Sequence, residues 1–102
     1  MKRPDLHPEA EFEIGEALTY YRYNAPAEIA DALDALIESG LVDIGGHPRR
    51  YPFWERTVAR RYILSRFPYV VFYRERPDNT LILAFAHTSR RPGYWKTRIA
   101  VD

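Results

Sequence analysis

Apolar and polar positions along the chain change period near its midpoint. Ala10, Ile14, Ala17, Leu18 and Tyr21 fall at i, i+4, i+7, i+8 and i+11, the spacing of one apolar stripe on a helix. Pro8 and the acids Glu9, Glu11 and Glu13 suit its first turn, where proline forgoes no hydrogen bond and carboxylates meet the positive end of the helix dipole. Asn24-Ala25-Pro26 interrupts the pattern. Ile29, Leu33, Leu36, Ile37, Leu41 and Ile44 then form a second stripe that closes at Gly45-Gly46. So short a link makes the two helices an antiparallel hairpin. Gly40 costs a helix about 1 kcal/mol relative to alanine, which leaves a stop at Ser39 as an alternative boundary.

Residues 47–56, HPRRYPFWER, hold two prolines and no period, and are expected to form a loop pinned by Tyr51, Phe53 and Trp54. Beyond them the stretches Thr57 to Leu64, Tyr69 to Glu75 and Thr80 to Ala86 are rich in Val, Ile, Leu, Tyr and Phe, with SRFP and RPDN as turns between them. Three strands with two tight links predict an antiparallel meander. The last is apolar on both faces, as an interior strand should be. Lys2 to Leu6 can add a short edge strand, although Pro4 restricts its hydrogen bonding. The expected fold is α+β in one domain over 1–102: an N-terminal antiparallel helical hairpin packed on a three- to four-stranded, mainly antiparallel sheet.

Composition narrows the class. With 46% apolar and 28% charged residues the chain reads as a soluble globular protein. No run approaches the roughly 18 apolar residues of a membrane span, and MKRPDLHPEAE has no signal-peptide core, so a cytoplasmic protein without membrane contact is expected. The absence of cysteine excludes disulfides, zinc knuckles and thiol catalysis. His7, His47 and His87 share no ligand spacing, and neither a metal nor a cofactor is expected. The net charge of +1 conceals a division: residues 1–48 carry 3 Lys/Arg against 10 Asp/Glu, a balance of −7, and residues 49–102 carry 12 against 4, a balance of +8. Eleven of those twelve cations are arginine, suited to forked contacts with phosphate or carboxylate, so a polyanion or an acidic protein is the natural counterpart.

Candidate chemistry concentrates in AHTSRRPGYW, residues 86–95. His87 can transfer protons, since an unperturbed imidazole titrates near pH 6.5, or can simply cap the strand end on backbone. Arg90 and Arg91 share a turn with Pro92, Gly93 and Tyr94. Trp95 is expected to lid the core, because an indole buries so much area. Arg60 and Arg61 are successive strand residues whose side chains point to opposite faces, so one belongs to the exposed face of the sheet and the other to the helix layer or its rim. Solvated charges that deter edge-to-edge aggregation are the alternative for both. Glu9, Glu11, Glu13 and Glu16 read as the wet face of the first helix, or as acid presented to one partner while the meander presents arginine to another.

Taken together, LHPEAEFEIGEALTYY, VARRYILSRFPYVVFYR and AFAHTSRRPGYW resemble the first helix, first hairpin and closing motif of the RelE/ParE superfamily of bacterial toxins from type II toxin–antitoxin systems, over nearly the whole chain. The family's first strand is usually longer than MKRPDL permits. The resemblance implies a toxin that arrests growth when free and is held in a hetero-oligomer by a cognate antitoxin, which orders on binding through an amphipathic helix and an added strand. RelE-like members cut mRNA on the ribosome, and ParE-like members poison DNA gyrase. In RelE-like nucleases an arginine beside the tyrosine of the second meander strand holds the phosphate; the residue after Tyr69 here is Val70, which points to the ParE-like branch. The expectation is therefore a gyrase-directed toxin whose target-binding surface draws on Arg60, Arg61, His87, Arg90, Arg91 and Tyr94. A ribosome-dependent mRNA endoribonuclease using His87 with an arginine is the alternative, and a non-toxic nucleic-acid binding module is the third.

Overall fold

The change of period in the sequence is a change of layer in the structure. The computed structural model describes residues 3–100. The chain runs through β1 (Asp5–Leu6), α1 (Pro8–Asn24), α2 (Ala27–Gly46), β2 (Arg60–Ile63), β3 (Tyr69–Glu75) and β4 (Thr80–His87), and ends in a 3₁₀ turn at Lys96–Ala100. The strands form one sheet in the order β1-β4-β3-β2, antiparallel except for β1, which lies parallel to β4. The α+β architecture expected from the sequence is the one observed. Of the proposed edge strand, β1 keeps Asp5 and Leu6, and Lys2 lies outside the described residues.

Local chemistry sets the helix boundaries. His7 caps α1, its Nδ1 accepting the backbone N–H of Glu9 at 3.1 Å, and Pro8 opens the first turn. No stop occurs at Ser39: α2 continues through Gly40 to Gly46. A Cβ on Gly40 would sit 3.0 Å from the Tyr62 ring, so hydrogen at this position lets α2 approach β2 closely.

Strand β2 is shorter than the expected Thr57 to Leu64. The Trp54 carbonyl accepts from the Thr57 hydroxyl at 2.7 Å, the Trp54 N–H donates to the Ala59 carbonyl at 2.8 Å, and Glu55 adopts φ 49. A closed turn thus takes the residues that strand propensity favoured, and the side-chain bond of Thr57 competes with the ladder. Tyr51 and Trp54 anchor the preceding loop as expected, but Phe53 does not. It is 53% exposed and lies beneath the Arg60 guanidinium, 3.9 Å from it.

Both faces of the sheet are covered, unequally. Leu33, Ile37, Leu41 and Ile44 of α2 pack with Val71, Tyr73, Ile82 and Phe85 on one face. On the other, Phe72, Leu81, Leu83 and Ala84 are closed by Trp95, which is 1% exposed, stacks on Phe72 at 4.4 Å and meets Trp54 edge-on at 5.1 Å. Trp95 is the lid that its size implied.

The helix-side core holds a pH-sensitive group. Tyr73 is fully buried, donates its hydroxyl to the Pro48 carbonyl at 2.8 Å, and is pushed by burial from 10.0 to about 12. Because the folded pKa exceeds the unfolded one, its contribution is complete below pH 10 and is lost as pH rises towards 12. Stability from urea unfolding is expected to fall across this window by up to about 1.4 kcal/mol per pH unit from this residue. Tyr73→Phe should give a shallower decline; an identical slope would remove Tyr73 from the account.

Candidate functional site

Pairing register places two cross-strand rows on the sheet face turned away from the helices. Ile63, Val70 and Ala86 align in one row, and Arg61, Phe72 and Ala84 in the next. This face opens as a cleft of 210 Å³ whose floor is Ile63, Val70, Phe72 and Ala86. The turn after β4 forms one end, and Trp54 and Trp95 also line it. The turn depends on Gly93, at φ 76, where a Cβ would press within 3.2 Å of the Trp54 ring.

The electrostatics of the cleft are one-sided. Arg61, Arg90, Arg91 and His87 line it, and no carboxylate does. All three arginines are exposed. Among the described residues Arg61 and Arg91 have no ion pair or side-chain hydrogen bond, and Arg90 lies over the Tyr94 ring at 3.8 Å. Three guanidinium groups spaced around an apolar floor, with no carboxylate among the lining residues, leave the cleft with unneutralised positive charge.

The remaining residues expected in the site have other work. Arg60 faces the helix side, donates to the Tyr51 carbonyl at 2.7 Å, and comes within 3.8 Å of Glu75. It pins the loop and does not reach the cleft. Tyr94 contributes to the wall, but its hydroxyl points away and donates to Glu13 at 2.7 Å. The His87 Nδ1 accepts the Ser89 backbone N–H at 3.0 Å, so this histidine caps the strand end. An N–H can only donate, which leaves the ring proton of neutral His87 on Nε2 and no free lone pair there for a general base.

Two features escaped the sequence reading. Glu13, expected on the wet face of α1, is largely buried. Its Oε1 accepts the Phe85 N–H at 3.0 Å and one Arg98 nitrogen at 3.0 Å, and its Oε2 accepts Tyr94 and the other Arg98 nitrogen at 3.1 Å. Arg98 also donates to the Leu83 carbonyl at 3.0 Å. Strand β1 pairs with β4 only at Leu81 and Ile82, so these two side chains occupy the ladder positions β1 leaves open. Burial and the bond to Glu13 push the Tyr94 hydroxyl strongly up. Burial pulls Arg98 down, but the hydrogen bond and charge of Glu13 outweigh it, and the guanidinium is held above its usual range. The signal was present: Glu13 lies three residues after Ala10 and four before Ala17, the two smallest members of the apolar stripe, where a longer side chain gains access to the sheet edge.

The second feature is an outward aromatic face on α1. Phe12, Tyr20 and Tyr23 are exposed, Tyr23 by 85%, around Gly15, Glu16 and Thr19. Phe12, Glu16, Thr19 and Tyr23 recur at i, i+4, i+7 and i+11, a second stripe that the inward one overshadowed. A Cβ on Gly15 would meet nothing within 4 Å, so no intramolecular packing requires this glycine.

Among the described residues no three His, Cys, Asp or Glu side chains gather as metal ligands, and no helix is long and apolar enough to cross a membrane. A family model described as the ParE toxin of type II toxin-antitoxin system, parDE, matches residues 5–92. No curated protein matches the chain.

Proposed function

Because the chain belongs to the ParE toxin family of type II toxin–antitoxin systems, we propose that it inhibits DNA gyrase and that the arginine cleft is the surface with which it grips its target. The observation that carries this reading is the cleft itself: Arg61, Arg90 and Arg91 surround an apolar floor with no acid among the lining residues. Val70 stands in that floor, at the position where nuclease chemistry would call for a cation, and His87 offers no free base. Both features speak for binding over cleavage.

The family implies a cognate antitoxin as partner. Its place in this reading is the outward face of α1, where Phe12, Tyr20 and Tyr23 supply apolar contact and Glu9, Glu11 and Glu16 supply negative charge. A segment that folds into an amphipathic, basic helix on this face would bury the exposed rings in a hetero-oligomer.

The decisive comparison uses purified protein on two substrates. Gyrase supercoiling is expected to stop while transcripts on translating ribosomes stay intact. Ribosome-dependent cuts with normal supercoiling would replace this reading by the endoribonuclease one, and binding of nucleic acid with neither effect would leave a non-toxic binding module.

A further inference from the structure

The floor of the cleft identifies the class of ligand more closely than its charge does. A surface for phosphodiester backbone needs cations and hydrogen-bond donors, and one for bases adds accessible aromatic faces. Here Trp95 is buried, with Phe72 and Trp54 already against its ring, and the central row is aliphatic: Ile63, Val70 and Ala86. Ile63 is 66% exposed although it sits on a strand beside Arg61. At 210 Å³ the cleft is smaller than the about 300–1,000 Å³ of pockets for drug-sized ligands. It is suited to one or two side chains of a larger molecule.

Edge geometry agrees. Strand β2 is the outermost of the sheet, and residues 52–54 cover only its first half, where the Arg61 N–H donates to the Pro52 carbonyl and Phe53 bridges Arg60. Backbone groups alternate in direction along a strand, and the Leu64 N–H turns inward to the Tyr69 carbonyl, so those of Ile63 face outward. No further strand among the described residues covers them.

The geometry points to an extended peptide segment of the target protein as the occupant, added along the second half of β2, with an aliphatic side chain on the Ile63–Val70–Ala86 floor and flanking carboxylates on Arg61, Arg90 and Arg91. This takes the target-binding role of the cleft from the reading above and adds that the contact is protein to protein, not protein to DNA. Main-chain bonds along an open edge supply affinity in such a mode, and alternate side chains supply specificity. Three arginines without a neutralising acid suit carboxylate and phosphate alike, and the aliphatic row favours a chain that also brings an apolar side chain, which a peptide does and a phosphodiester backbone does not.

Both tryptophans of the chain line this cleft, so their fluorescence reports its occupancy. The probes are a terminally blocked decapeptide with one leucine among glutamates, the same peptide with serine for leucine, and a single-stranded DNA decamer. Saturable binding of the leucine peptide is expected, weakened roughly 10- to 100-fold by the serine exchange or by Ile63→Ser in the protein. Ile63 is exposed, so Ile63→Ser should keep the wild-type melting temperature, and its unchanged charge should leave any residual affinity for the decamer unaltered. Tighter binding of the decamer, or peptide binding indifferent to both exchanges, overturns the proposal. A supercoiling assay on the same preparation separates the two readings. Inhibited gyrase with no peptide binding defeats only the peptide site. Peptide binding with unimpeded gyrase defeats only the choice of target.

Discussion

Glu13→Ala is expected to remove about 3–5 kcal/mol of folding stability, the range seen when one partner of a buried ion pair is deleted. The side chains of Glu13 and Arg98 are 10% and 13% exposed, so neither charge is well served by water. Without the carboxylate, the Arg98 guanidinium stays buried with no counter-charge, the Tyr94 hydroxyl loses its acceptor, and the Phe85 N–H on β4 loses its bond. A domain of this size holds about 5–15 kcal/mol in all, so about a fifth or more of the total is at stake and the midpoint of thermal unfolding should drop by roughly 12–40 °C. Urea unfolding checks the figure. The double change Glu13→Ala with Arg98→Met should recover part of the loss, because it removes the stranded charge. A cost below about 1 kcal/mol for the single change would mean that water reaches the pair and that it behaves as a surface contact.

Converting Arg61, Arg90 and Arg91 together to glutamine is expected to weaken target inhibition on the order of 100-fold, since charged contacts of this kind are worth several kcal/mol once a partner desolvates them. The same triple change should leave the melting temperature nearly unaltered, because the three side chains are exposed and their removal disturbs little beyond the stacking of Arg90 over Tyr94. Arg60→Gln should do the reverse. It takes two backbone hydrogen bonds from the 47–56 loop, and should lower stability while leaving inhibition close to wild type. Supercoiling titrations and thermal melts on both proteins read the contrast directly. Inhibition that survives the triple change, or that fails in Arg60→Gln at full stability, would assign the functional arginine to the other face of the sheet.

Neighbouring residues differed in how much of their role was legible. Arg60 and Arg61 could be assigned to opposite faces from strand alternation, but not to particular ones. The side was set by pairing with Tyr73, which belongs to the helix-side core, and with Phe72, which belongs to the other. Thr57 has the side chain of a strand residue, yet its hydroxyl closes a turn on Trp54, and β2 begins three residues later. Phe53, large and apolar, was expected inside; the loop instead leaves it as a platform for Arg60. For Thr57 and Phe53 a contact between residues near in sequence competed with one formed only on folding, and propensity alone could not rank them.

Periodicity by itself determined the two helices and the three main strands, because apolar spacing records which side of each element must leave water. The short link between the stripes set the antiparallel hairpin, and the size of its indole set the burial of Trp95. A count of charged residues located the charge division between the two halves. Only the tertiary structure decided which charges are spent on the fold and which remain free. Glu13 and Arg98 are 85 residues apart and meet because α1 crosses the open edge of β4 where the terminal segment returns, whereas Arg61, Arg90 and Arg91 reach a shared cleft that holds no acid. A side chain's formal charge is a property of the residue, but whether that charge is neutralised depends on distances of a few ångströms that no single segment of the chain contains.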